Sequence, residues 1–181
     1  MCHLLLPMQK AMGLLFIRLI DGESEVLIFE EKGEHGKSIS MSNDGKYLAV
    51  GFESGKVIVW DYKENKLVQA LTGHVAGIKT LTFSPDNKYL ATGSFDHTVQ
   101  LWKLNALNAP AVIFNDHSAW VWSTAFTPDS NVLLVGCSNG EIKYYPLDMV
   151  VMANEIKSKL GRKLTKQEWE QFVGKDIEYP Y

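Results

Sequence analysis

The chain has 181 residues, of which 46% are hydrophobic and 22% charged, the balance of an ordinary soluble protein with enough apolar material for one domain's core. A formal net charge of −3 gives no chain-wide electrostatic grip on nucleic acid, and no nucleic-acid partner is expected. Cys2 and Cys137 form no CxxC pair and no disulfide framework, the usage of a reducing, cytoplasmic compartment.

The N-terminal run "MCHLLLPMQKAMGLLFIRLI" is apolar, but Lys10 and Arg18 interrupt it, it lacks a basic start, and no small-residue cleavage site follows. It reads as neither a membrane span nor a signal peptide, so no membrane partner is expected. Residues 1–13 are set apart as a poorly defined segment. "GLLFIRLI" and "SEVLIFE" then read as two strands, the last pair of an incomplete unit over residues 14–31.

Self-similarity decides the architecture. "SISMSNDGKYLAVGFESGKVIVWD" ends on Trp60 and Asp61, "KTLTFSPDNKYLATGSFDHTVQLWK" on Trp102 and Lys103, and "STAFTPDSNVLLVGCSNGEIKYYP" on Tyr145 and Pro146. Trp60 to Trp102 is 42 residues, and Trp102 to Tyr145 and His74 to His117 are both 43. A period of that length marks repeating four-stranded blades. In the middle unit "IKTLTF", "YLATGS" and "HTVQLW" are β-rich runs, joined by a proline-aspartate turn in "SPDNKY" and a tight turn at Ser94 to Asp96. "KLVQAL" and "APAVIF" fit a fourth, outer strand after Trp60 and after Trp102. The repeats span about 32–71, 72–114 and 115–147, with a tail over 148–181.

From Met149 the period becomes helical. "MVVMANEIKSKLG" and "LTKQEWEQFVG" predict two short helices, the second with Thr165 and Glu168 at capping-box spacing and Trp169, Phe172 and Val173 on one face. That face fits either a cap on the sheets or a docking element. The bases Lys157, Lys159, Arg162, Lys163 and Lys166 interleave with Glu155, Glu168 and Glu170, a solvated helix face.

"GHVAGIKTLTFSPDNKYLATGSFDHTVQLW" resembles a WD40-repeat unit: Gly73-His74, the Phe83-Ser84-Pro85-Asp86 turn, Thr92-Gly93-Ser94, Asp96, and Trp102 six residues later. The resemblance covers residues 14 to 147 and implies an all-β partial β-propeller of four-stranded antiparallel blades, three repeats plus a remnant, with a two-helix tail. It also implies a buried network of His74, Thr92 or Ser94, Asp96 and Trp102. The first repeat departs from this: it keeps Trp60 but has Ser54 in place of the aspartate. The third keeps His117, with Asn139 for aspartate and Tyr145 for tryptophan, the makings of a partial network. "GRKLTKQEWEQFVGKDIEY" resembles a segment that follows such propellers in large bacterial signal-transduction NTPases, some with a caspase-like peptidase.

Asp96 and His97 invite a catalytic reading, but neighbours on a strand point to opposite faces. His97 is expected at an exposed turn. No phosphate-binding loop, Cys/His nucleophile pair or metal-ligand cluster is present, so no enzyme activity, metal or cofactor is expected. The resemblance implies a protein-interaction scaffold, the C-terminal sensor or docking part of a larger bacterial signalling protein. The alternative is a truncated propeller with no independent role. By motif position the binding face carries Glu53, Phe95 and Ser138, with Gly77 and Trp120 at the entries to the first strands. Phe95 and Trp120 fit either a partner-binding hot spot or packing between blades. Missing blades are expected from upstream sequence or another chain.

Overall fold

The computed structural model describes the backbone of residues 4–5, 14–20 and 23–29, and backbone and side chains of residues 34–148 and 165–167. The two helices expected in the tail lie outside the described residues, except for residues 165–167 of the second. Four antiparallel sheets follow one another along the chain. The first contains β1 (Leu4–Leu5), β2 (Leu14–Ile20) and β3 (Glu23–Phe29). β1 falls in the segment that the sequence reading set apart. It pairs Leu4 with Ile17 and Leu5 with Phe16.

The first complete blade is β4 (Gly36–Met41), β5 (Tyr47–Phe52), β6 (Val57–Asp61) and β7 (Lys66–Leu71). The second is β8 (Ile78–Phe83), β9 (Tyr89–Ser94), β10 (Val99–Lys103) and β11 (Val112–Phe114). The third has β12 (Val121–Phe126), β13 (Val132–Cys137) and β14 (Ile142–Pro146), with no fourth strand among the described residues. Each blade is a meander in chain order, and β4, β8 and β12 lie side by side where the blades meet.

The turns repeat as faithfully as the strands. Between first and second strand, Ser42, Ser84 and Thr127 each donate a side-chain hydroxyl to an aspartate two residues on, at 2.6, 2.7 and 2.5 Å. The same oxygens accept the backbone N–H of Tyr47, Tyr89 and Val132. These turns are also stitched to one another: the Asn43 N–H donates to Asn87 Oδ1 at 2.9 Å, and the Asp86 N–H to Ser130 Oγ at 3.1 Å.

Between second and third strand lie three-residue hairpin loops whose last residue is left-handed: Gly55, His97 and Gly140, at φ of 88°, 68° and 85°. A loop of this type requires that conformation, which glycine adopts freely. It also explains two boundary differences. Strand β10 starts at Val99 rather than His97, because His97 is the loop's last, left-handed residue and Thr98 closes the loop, its carbonyl accepting the Ser94 N–H. Strand β11 starts at Val112 rather than Ala109, because a 3₁₀ turn at Leu104–Ala106 intervenes and Pro110 has no N–H for a ladder.

The core lies between blades rather than inside one sheet. Ala49, Val57 and Val59 of the first blade bury against Ile78, Leu90 and Trp102 of the second. Ala91, Val99 and Leu101 of the second bury against Val121, Leu133 and Val135 of the third. Two glycines set the approach. A Cβ on Gly51 would lie 2.4 Å from Ile78 Cγ2, and one on Gly93 would lie 2.5 Å from Val121 Cγ1. A β-branched side chain of each following blade thus fills a notch in the one before. The matching face of the third blade is open: Leu134, Ile142 and Tyr144 are 39%, 76% and 66% exposed.

Candidate docking face and the network beneath it

The second blade carries a buried hydrogen-bonded chain. His74 Nδ1 lies 2.8 Å from Asp96 Oδ2, and His74 Nε2 lies 2.8 Å from Thr92 Oγ1. The Trp102 indole N–H donates to Thr92 Oγ1 at 3.3 Å. Burial lowers the pKa of His74, so its ring is neutral at pH 7. Burial alone would raise that of Asp96, but the Thr98 hydroxyl, the His74 ring and the Val75 N–H together hold it below the usual value. One proton arrangement satisfies every group: Trp102 N–H to the Thr92 oxygen, Thr92 O–H to Nε2, and Nδ1–H to the Asp96 carboxylate. The strand hydroxyl left open by the sequence is therefore Thr92. Ser94 has a separate task, donating to Ala76 O at 2.9 Å and accepting the Asp96 N–H.

Sequence reasoning missed two members. Asp96 also accepts the Thr98 hydroxyl at 2.7 Å and the Val75 N–H at 3.0 Å. A hydroxyl two residues after the turn aspartate is the signal that would have pointed to Thr98. These bonds clasp the loop entering β8 onto the hairpin that carries Phe95. Asp96 and His97 do not form a dyad, because Asp96 turns back to His74.

The other blades differ. In the first, Trp60 is half-buried opposite Leu48, Ser54 Oγ accepts the Lys56 N–H at 3.4 Å, and His35 is exposed. In the third, the Tyr145 hydroxyl lies 3.0 Å from His117 Nε2 and donates to Asp116 Oδ1 at 2.5 Å. Burial, with Asp116 beside it, pushes the Tyr145 pKa upward. Asn139 is not in that cluster. Its amide donates to Ser118 Oγ and its oxygen accepts the Glu141 N–H. Asparagine has the reach of aspartate but no charge, and here its polar atoms are taken up by Ser118 and the Glu141 N–H. His117 Nδ1 instead donates to His97 O across the blade boundary at 3.1 Å. His97 is accordingly half-buried rather than exposed as expected.

The five residues of the predicted face come together at one end of the blades. Phe95 N–H donates to Gly77 O, and Ser138 N–H donates to Trp120 O, the same bond one blade on. A Cβ on Gly77 would lie 3.3 Å from Glu53 O and 3.5 Å from Phe95 Cδ2. The Phe95 and Trp120 rings meet edge to face, with centroids 5.4 Å apart at 75°. Both remain open to solvent, at 37% and 49%. Gly77 is buried, while Glu53 is exposed and paired with Lys37 at 3.1 Å.

Chemical machinery is sparse elsewhere. A groove of about 360 Å³ beside the outer strands is lined by Gln69, Thr72, Gln100, Trp102, Asn108 and apolar neighbours, with no ionisable side chain. Among the described residues no three His, Cys, Asp or Glu side chains cluster as a metal site, and no helix is long and apolar enough to cross a membrane. Cys137 is a free, buried thiol whose pKa burial raises.

The sequence profile described as "WD domain, G-beta repeat" matches residues 31–61, 65–103 and 108–145. Human "WD repeat and SOCS box-containing protein 1" is 36% identical over 101 residues, covering 55% of this chain and 23% of that protein. "Periodic tryptophan protein 2" of Arabidopsis thaliana is 31% identical over 109 residues, covering 60% of this chain and 12% of that protein. The chain thus spans less than a quarter of the length of these relatives. A chain of the crystal structure of a mitotic checkpoint complex superimposes with a TM-score of 0.69 over 80% of this chain and 44% of its own length, at 19% identity, a likeness of fold.

Proposed function

This chain belongs to the WD40 family of G-beta repeat proteins, and from that premise we propose that it is a non-catalytic protein-interaction scaffold whose partner docks on the face of Glu53, Gly77, Phe95, Trp120 and Ser138. The observation that carries the reading is the Phe95–Trp120 pair: two large rings in contact, both accessible, on loops tied down from below. Rigid, half-open aromatics are the typical anchors of protein interfaces. The His74–Asp96 clasp supplies the rigidity, and in this reading it is structural rather than catalytic.

The finer placement, as the C-terminal docking part of a larger bacterial signalling protein in the cytoplasm, rests on the resemblance of residues 161–179 and on cysteine usage. The relatives described above are eukaryotic. The open third blade is read as the seat of further blades, from additional sequence or another chain. The rival, a propeller fragment with no independent role, requires that residues 1–181 fail to unfold cooperatively.

Phe95→Ala with Trp120→Ala tests the docking face. The expected result is loss of partner capture with a melting temperature lower by no more than about 4 °C, the share of one edge-to-face aromatic pair. Retained capture with a much larger melting shift would make the rings packing residues and overturn the reading.

A further inference from the structure

Three bulges set a second row of side chains beside the aromatic pair. The register of each inner strand shifts near its start: between Gly36 and Ser38, Ile78 and Thr80, and Val121 and Ser123. The residues left out of the ladders are Lys37, Lys79 and Trp122, and all three are exposed. A bulge turns its extra side chain away from the regular alternation of the strand. Because β4, β8 and β12 lie side by side, the three bulges form a row across the blades, with Lys79 two residues past Gly77, which meets Phe95, and Trp122 two residues past Trp120.

Their charges are not equivalent. Lys37 is committed to Glu53 at 3.1 Å. Lys79 holds its Nζ 5.7 Å from the centroid of the Trp122 ring, a contact between cation and aromatic face. The carboxylates at this end of the blades are engaged elsewhere: Asp96 with His74 and Thr98, and Glu141 with Ser118 and Lys143. Lys79 has no ion-pair partner among the described residues. A positive charge therefore stands over the exposed Trp122 ring, two residues along the chain from Trp120 and its Phe95 contact.

We infer that this face takes an extended acidic peptide: an apolar or aromatic side chain seats on Phe95 and Trp120, and a neighbouring carboxylate meets Lys79. The inference rests on the docking reading above and adds its ligand chemistry. A basic segment is disfavoured on two counts. It would meet Lys79 with like charge, and Lys79 already lies over the Trp122 ring that would otherwise attract a cation.

The test uses two short dye-labelled peptides of equal length and phenylalanine content, one with glutamates and one with lysines at the same places, titrated against the full chain by fluorescence anisotropy. The glutamate peptide is expected to bind at least about 10-fold more tightly and to weaken as salt is raised. Lys79→Glu is expected to erase or reverse that preference, and Lys79→Met, which keeps the stem over Trp122, to erase it without reversing it. Equal binding of the two peptides, or an unchanged preference in Lys79→Glu, would overturn the acidic-peptide inference. Loss of both peptides in Phe95→Ala with Trp120→Ala would show that the docking face itself stands, so the failure of one reading is separable from that of the other. Binding untouched by that double substitution would overturn both.

Discussion

His74 is buried and neutral while Asp96 beside it is charged, which ties the second blade's stability to pH. The pKa values of His74 and His117 are both lowered in the folded state from the usual 6.5, mainly by burial. An unfolded chain takes up protons at these rings as pH falls below 6.5, whereas the folded chain resists until lower pH. The stabilisation is therefore complete above that value and is lost on acidification, with Asp96 extending the loss below its usual 3.8. Urea midpoints measured from about pH 8 to about pH 5 should be level and then decline; a flat profile throughout would contradict the neutral assignment. Asp96→Ala should cost about 1–3 kcal/mol, because it strands the His74 ring and the Val75 and Thr98 donors, and denaturant titration reads this directly. The residue types of this network were legible through the resemblance to a WD40 unit, whose buried indole N–H and imidazole need partners. The Val75 bond was not, since it runs to backbone, which residue types do not name; Thr98 meets the other carboxylate oxygen, Oδ1, and only its hydroxyl two residues after Asp96 hinted at it.

The hairpin loops carry the lesson at the scale of elements. The runs "IKTLTF", "YLATGS" and "KLVQAL" are strands over the same residues in the structure. What the pattern hid was backbone conformation and contact across blades. His97 reads as an odd polar residue in a turn, but it fills the left-handed position taken by Gly55 and Gly140, and its carbonyl accepts from His117 one blade on. That acceptor is backbone, so it survives substitution. His97→Gly should thus be tolerated within about 1 kcal/mol, while His97→Val should cost about 1–2 kcal/mol for a branched side chain in a left-handed position. Chemical denaturation of the pair distinguishes the two. Equal losses in both would mean that the His97 ring, not its backbone, matters.

Across the molecule, one packing device recurs: a notch at a glycine receives a β-branched residue of the next blade. Gly51 receives Ile78 and Gly93 receives Val121, whereas among the described residues a Cβ on Gly136 would meet only Ser123 of its own blade, at 2.6 Å. Gly93→Ala should therefore cost about 1–3 kcal/mol by forcing two blades apart. Gly136→Ala should cost much less, because a serine hydroxyl rotates away. Similar losses at both sites in thermal unfolding would mean that the third notch is already filled. The period made the repeat legible, but not which faces stay open, because exposure depends on how many blades stand beside one another. The open notch and the docking face occupy different surfaces, and the account makes the second the working one. Its most direct test is partner capture and melting measured together on Phe95→Ala with Trp120→Ala. The account predicts that capture is lost while the protein melts within about 4 °C of the parent; full capture by a strongly destabilised double variant would contradict it.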